Sequence, residues 1–210
     1  MNRYGKYPYV IGHYDVKCSE MMFYQDFPIK LANSYNVNLE PRHKFIEPIL
    51  EGVFDDYVNF RSEEDLFNSY VYLSAKHMFV TPTSNYNRPG WHTDGFLSDD
   101  INYVWSDKFP TVFNVTECDL TQDHNISMLE MTEVANHNPA NNISFGDSEL
   151  IRLDQYNIHK VGEVEEPGMR TFIKVSISKS QFNLLGNTHN YQLDYKWEMR
   201  DRSLQRNIPG

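Results

Sequence analysis

The sequence predicts a mainly β protein, an all-β sandwich or jelly roll with helices on its N-terminal flank. Three observations lead there. Five short β-branched or aromatic runs lie between clusters of Pro, Gly, Asn and Asp, one of them alternates apolar with polar residues, and no helical period separates them. Many short strands without intervening helices favour a sandwich or jelly roll over a parallel βαβ sheet.

Taken in order, residues 1 to about 45 mix Tyr, Pro and Asn without clean periodicity, which predicts irregular segments and short strands laid over a core. From Glu47 to Tyr70, Ile49, Leu50, Val53, Phe54, Tyr57, Val58 and Phe60 follow i, i+3, i+4 spacing, and Ser62-Glu-Glu-Asp65 resembles a helix N-cap. Two short helices are expected there. Strands are expected at 71–80, 112–115, 150–153, 156–158 and 171–178. In the last, Thr171, Ile173, Val175 and Ile177 alternate with Phe172, Lys174, Ser176 and Ser178. The tail from Gln181, with Tyr191, Tyr195 and Trp197, is expected to pack back on the strands. The organisation predicted is one domain over 1–210: a helical and irregular flank (1–70), a jelly-roll core (71–180) and a C-terminal extension (181–210).

A chain of 210 residues with 40% hydrophobic and 14% aromatic residues can bury a real core. Its 19 basic and 29 acidic side chains give a net charge of −10, without the broad cationic footprint of a protein that tracks phosphate backbones, so nucleic acid is disfavoured as a partner. Two cysteines, Cys18 and Cys118, exclude a disulfide framework and a zinc site built from thiolates. No apolar run approaches the ~20 residues that span a bilayer, and the first residues open no signal-peptide core. A soluble, cytoplasmic protein is expected. Nothing in the sequence sets its oligomeric state. Eight histidines remain as a reservoir of metal ligands or acid–base groups.

Trp91-His92-Thr93-Asp94-Gly95 places an imidazole and a carboxylate two residues apart, on one side of an extended strand end. His159, ending a predicted strand that follows Phe145-Gly146-Asp147, is the candidate third ligand. Two histidines and one carboxylate leave three positions of an octahedral ion open, the arrangement of a non-haem Fe(II) centre that binds O₂ and a co-substrate together. Arg170, eleven residues beyond His159, begins the last strand. A strand returning antiparallel brings its guanidinium, the side chain best suited to grip a carboxylate, toward the metal.

In this order and spacing, His92-x-Asp94, His159 and Arg170 resemble the signature of the Fe(II)/2-oxoglutarate-dependent dioxygenases. Trp91-His-Thr-Asp-Gly95 looks most like their phytanoyl-CoA-hydroxylase-like branch. The likeness covers about half the chain, Val71 to Ser178. It implies a double-stranded β-helix (a cupin-like jelly roll), His92, Asp94 and His159 as Fe(II) ligands, and Arg170 on the distal carboxylate of 2-oxoglutarate. It implies an enzyme that hydroxylates a small molecule or an exposed side chain, with succinate and CO₂ as co-products. Halogenation is disfavoured, because halogenating relatives replace the carboxylate that Asp94 supplies. One departure stands out: many members carry a hydroxyl two residues after the Arg, where this chain has Phe172. Thr111, and on the same return path Tyr103, are candidates to complete the carboxylate clamp.

Two other classes compete. The incomplete clamp suits a non-catalytic jelly-roll binding or structural module, for example a cupin-like or virion-associated protein. A nucleobase-oxidising member of the same superfamily would need a local basic groove that the overall charge does not suggest. His13-Tyr14-Asp15 repeats the His-x-Asp spacing but has too little chain before it to support a site. His124 and His137 fall in polar, turn-like sequence and are read as exposed. His43, His77 and His189 lack a carboxylate at ligand spacing and are read as structural.

Overall fold

In the computed structural model, which describes residues 3–202, nine strands and three α-helices follow one another along the chain. They are β1 (Tyr9–His13), β2 (Met22–Lys30), α1 (Glu47–Phe60), α2 (Glu63–Phe67), β3 (Tyr70–Val80), β4 (Ile101–Ser106), β5 (Val112–Asn114), α3 (His124–His137), β6 (Asn142–Ser144), β7 (Glu149–Leu153), β8 (Ile158–Lys160) and β9 (Gly168–Ser178). Six strands form one large sheet in the order β1-β7-β4-β9-β3-β2, and three form a small sheet in the order β6-β5-β8. Every strand pairing within these two sheets is antiparallel.

The alternation read in the last strand sorts the two faces of the large sheet. Ile173, Val175 and Ile177 pack with Val71, Leu73, Ile101 and Tyr103 against Ile49, Leu50 and Val53 of α1. Burying each such aliphatic side chain stabilises the fold by about 1.5–3 kcal/mol, so α1 is held by its apolar stripe more than by its own propensity. The opposite face carries Phe172, which packs with Val104, Ile151 and Leu153 onto Phe113 and Ile143 of the small sheet. Farther along that face, Lys174 and Ser176 are buried or half-buried, so the polar residues of the alternation look into the space between the sheets rather than into solvent.

The two helices expected between 47 and 70 are α1 and α2, and the Ser62 hydroxyl accepts from the Asp65 N–H at 3.0 Å, as the cap pattern requires. Lys30, at the end of β2, is fully buried beside them. Its ammonium donates to the carbonyls of Leu66, Phe67 and Ser69 at the end of α2 and to that of its neighbour Leu31.

Four features differ from expectation. The strand expected at 156–158 begins only at Ile158, because Tyr156 lies in a turn where its N–H donates to the Asp154 carboxylate at 2.8 Å, so His159 is inside β8 and not at its end. The 124–137 segment is not turn-like but the helix α3, with the Asp123 carboxylate capping the N–H groups of Asn125 and Ile126. Its buried stripe is only Ser127, Met131 and Ala135, while Ile126 and Leu129 are exposed, so an amphipathic period is barely present to be read. A helix therefore intervenes between strands after all. Ile101 to Ser106, missing from the expected strands, is β4, buried along its whole length at the centre of the large sheet. The N-terminal segment supplies β1 and β2, the two edges of that sheet.

The C-terminal segment packs back in part, with Tyr191 left 89% exposed. Phe182 stacks on Tyr72 with ring centroids 4.1 Å apart, Trp197 meets Tyr70 edge-on, and the Asn190 amide donates to the Pro28 carbonyl. The end of the extension, 203–210, lies outside the described residues. Among the described residues no helix is long and apolar enough to cross a membrane, and Cys18 and Cys118 are both free thiols.

Candidate metal centre

His92 lies just after the loop that leaves β3 and pairs with His159 of β8 as an isolated antiparallel bridge: His92 N–H donates to His159 O at 2.9 Å, and His159 N–H to His92 O at 2.8 Å. Directly opposed residues in such a pair carry their side chains on one side of the ladder. The two imidazoles accordingly sit with ring centroids 4.5 Å apart. On its other edge β8 pairs with β5, where Phe113 faces His159, so the His92 segment prolongs the small sheet.

Asp94, two residues beyond His92, comes back to the same side at a tight turn. Gly95 makes the turn possible. Its φ of +68° is left-handed, and a Cβ there would stand 2.8 Å from Ser98 Oγ and 3.1 Å from Asp100 Cβ. One ligand atom from each of His92, Asp94 and His159 then falls within 4.8 Å of the others, and among the described residues this is the one such group of His, Cys, Asp or Glu.

Both imidazoles are pinned from behind. His92 Nδ1 lies 2.9 Å from the Gly90 carbonyl, and His159 Nδ1 lies 2.9 Å from the Asn157 carbonyl. A carbonyl can only accept, so each Nδ1 carries the proton and each Nε2 turns a lone pair toward Asp94. Burial, and then the neighbouring His159, pull the His92 pKa down to about 3, and burial pulls His159 down as well. Both rings are therefore neutral at neutral pH. His159 Nε2 stands 3.8 Å from Asp94 Oδ2, which is two donor atoms converging on one point rather than an ion pair. For Asp94, burial alone acts upward, but the Lys174 ammonium 3.3 Å away leads the charges that hold its carboxyl well below the usual range. Two neutral nitrogens and one ionised oxygen is a donor set that suits a divalent first-row metal.

The triad opens on a cavity of about 130 Å³ between the sheets. Four cations line it, Lys76, Arg88, Lys160 and Lys174, against the single acid Asp94; Val104, Val161 and Phe172 supply its apolar wall. Lys76 of β3 donates to the Tyr86 carbonyl at 2.6 Å and to Asn87 Oδ1 at 3.1 Å. Burial, followed by Lys174, lowers its pKa to about 8. Lys160 is tied to Glu163 at 3.0 Å.

The expected site residues divide accordingly. His92, Asp94 and His159 come together, and Thr111 lines the cavity beside them. Arg170 does not line it: its guanidinium donates to the carbonyls of Lys108 and Phe109, both at 2.9 Å, with its carbon 5.3 Å from the Phe172 ring centroid. Burial brings its pKa to about 10, so it stays charged at neutral pH. Gly162 presses on the same turn, where a Cβ would be 2.2 Å from Pro110 O and 2.3 Å from Phe109 O. Arg170 and Gly162 thus shape the turn that presents Thr111. Tyr103 faces away, its hydroxyl donating to Asp56 of α1 at 2.8 Å. Sequence reasoning passed over Lys76 and Lys174. The alternation of β9 held the signal for Lys174, which shares a face with Phe172, and the register Lys76↔Phe172 puts Lys76 beside it.

Compared with known proteins, the chain matches no family model and no curated sequence.

Proposed function

We propose that this protein is an Fe(II)- and 2-oxoglutarate-dependent dioxygenase on a double-stranded β-helix, hydroxylating a small molecule or an exposed side chain with succinate and CO₂ as co-products. The observation that carries the reading is the joining of a His-Asp-His triad, tautomers fixed for metal binding, to a small cavity lined by four cations in a protein of net charge −10. An antiparallel arrangement with His92 and His159 paired at the end of the small sheet supports the scaffold.

His92, Asp94 and His159 would hold the Fe(II). When bound, the iron supplies the oxygen activation that couples decarboxylation of 2-oxoglutarate to hydroxylation of a C–H bond. The chain does the rest. Carbonyls of Gly90 and Asn157 hold the Nδ1 protons and so aim the ligand lone pairs. Lys174 keeps Asp94 ionised before metal arrives. Lys76, on the wall formed by β3, would take the far carboxylate of a small dianion, with Thr111 offering a hydroxyl. Val104, Val161 and Phe172 exclude water. A cavity of about 130 Å³ is far below the ~300 Å³ at which drug-sized ligands begin, as a small diacid requires.

Purified protein given Fe(II), ascorbate and 2-oxoglutarate is expected to release succinate, and His92→Ala or Asp94→Ala to abolish it. Lys76→Met should weaken 2-oxoglutarate binding at least tenfold with iron binding retained. If Arg170→Ala does so and Lys76→Met does not, the guanidinium is the clamp instead. No succinate, together with a melting temperature that neither metal nor 2-oxoglutarate moves, refutes the proposal.

A further inference from the structure

Asp94 and Lys174 separate the cationic cavity from a second one of about 310 Å³ whose lining they share with Arg88. Its chemistry is different. Asp26 and Asp100 border it, and Phe96 and Phe182 give it apolar walls. Asp26 is already engaged, accepting from Ser74 Oγ at 3.3 Å and from Gln25 Nε2 at 3.0 Å. Asp100 is held by the Ser178 hydroxyl, while the Ser98 hydroxyl beside it donates to the Gly95 carbonyl; the Lys174 ammonium acts on Asp100 from a distance, and Asp100 belongs to no ion pair among the described residues.

Two further polar atoms at this wall have no partner. Asn102 Nδ2 and Thr93 Oγ1 are unbonded although their residues are only 3% and 4% exposed. The Asn102 amide is oriented by Ser176, whose hydroxyl donates to Oδ1 at 2.6 Å, which leaves the NH₂ as the idle end. An unsatisfied buried donor costs about 1–3 kcal/mol. Such a cost is tolerated where a ligand relieves it, and Asn102, Thr93 and Asp100 all line one space next to the triad, with the two idle atoms lying just behind its surface.

We propose that this second cavity binds the substrate proper, a small primary amine or guanidine carrying a hydroxyl or carbonyl oxygen near its cationic nitrogen. The nitrogen faces Asp100, the oxygen accepts from Asn102 Nδ2 with Thr93 beside it, and the hydrocarbon part lies against Phe96 and Phe182. The dioxygenase reading supplies only the reaction; the ligand class comes from the wall. Because Asp94 lines both cavities, a molecule held here reaches the triad.

Calorimetric titration of the full chain loaded with Co(II) tests this, with L-lysinamide, L-argininamide and ethanolamine as probes and inorganic phosphate as the anionic control. At least one amine is expected to bind saturably and phosphate not to displace it. Asp100→Asn should weaken that amine at least tenfold and Asn102→Ala at least threefold, with Co(II) affinity unchanged. Thr93→Val serves in place of Asn102→Ala if loss of the Ser176 hydrogen bond prevents folding. The proposal is overturned if none of the three amines binds, or if Asp100→Asn leaves their binding intact. Amine binding without succinate release would sink the dioxygenase reading and leave the pocket standing; succinate release without amine binding would do the reverse.

Discussion

Lys174→Met probes the electrostatics of the triad. In the metal-free protein the ammonium is the nearest cation to Asp94, at 3.3 Å, and the two side chains are only 17% and 20% exposed. At an effective dielectric of ~20, Coulomb's law gives about 5 kcal/mol for unit charges at that separation. Desolvation of the lysine offsets part of this, and breaking a buried pair by removing one partner costs about 3–5 kcal/mol. With both groups partly wetted the lower end applies, about 3 kcal/mol, or roughly 6–12 °C in Tm for a domain of this size. A bound divalent ion supplies the missing positive charge. The loss should therefore shrink to about 1 kcal/mol, roughly 2–4 °C, when the same variant is melted with Co(II), and its Co(II) affinity should exceed that of the parent protein. Thermal denaturation of both proteins with and without metal measures all four corners. An equal drop in the two metal states, or a drop under 1 °C without metal, would refute the reasoning.

Gly162→Ala should lower stability by about 2–3 kcal/mol, because its Cβ would collide with backbone carbonyls that cannot swing aside, and it should also weaken 2-oxoglutarate binding by displacing the turn before Thr111; melting and titration read the two effects. Lys30→Met should cost about 1–3 kcal/mol in urea denaturation with metal affinity untouched, since the buried Ser69 carbonyl would lose its ammonium partner while those of Leu66 and Phe67 keep only the N–H groups of Ser69 and Asn33. His43 is fully buried against Tyr24 and Phe27, its ring nitrogens without partners, and burial lowers its pKa below the ordinary value near 6.5. The unfolded chain then binds the proton more readily, so this group's contribution to stability is present above pH ~6.5 and is lost as pH falls below it. His43→Phe should melt with a shallower fall in Tm between pH 7.5 and 5; an unchanged slope counts against the assignment.

Much of the site was legible because its signals are local. His92 and Asp94 are two residues apart, and the strand period of β9 separates an apolar face from a polar one within eleven residues. What the polar face was for could not be read. Lys174 and Ser176 look like solvent-facing residues until the triad and the C-terminal segment are laid over them, and only the register of β3 on β9 brings Lys76 in. Arg170 shows the converse. Its position in the chain pointed at the co-substrate, yet its guanidinium goes to the carbonyls of Lys108 and Phe109, through a turn whose shape depends on Gly162 from another segment. The helix α3 escaped because its buried stripe is three small or medium residues wide. The strand β4 escaped because Asn102 and Ser106 interrupt it with polar side chains that are nonetheless buried.

The measurement that bears most directly on the dioxygenase reading is an anaerobic titration of 2-oxoglutarate into Fe(II)-loaded and metal-free protein. Binding of one 2-oxoglutarate per chain to the loaded form, at least a hundredfold weaker without iron and lost in His159→Ala, is the predicted result. Equal binding in the two forms, or none in either, would contradict the assignment of His92, Asp94 and His159 as the metal centre of such an enzyme.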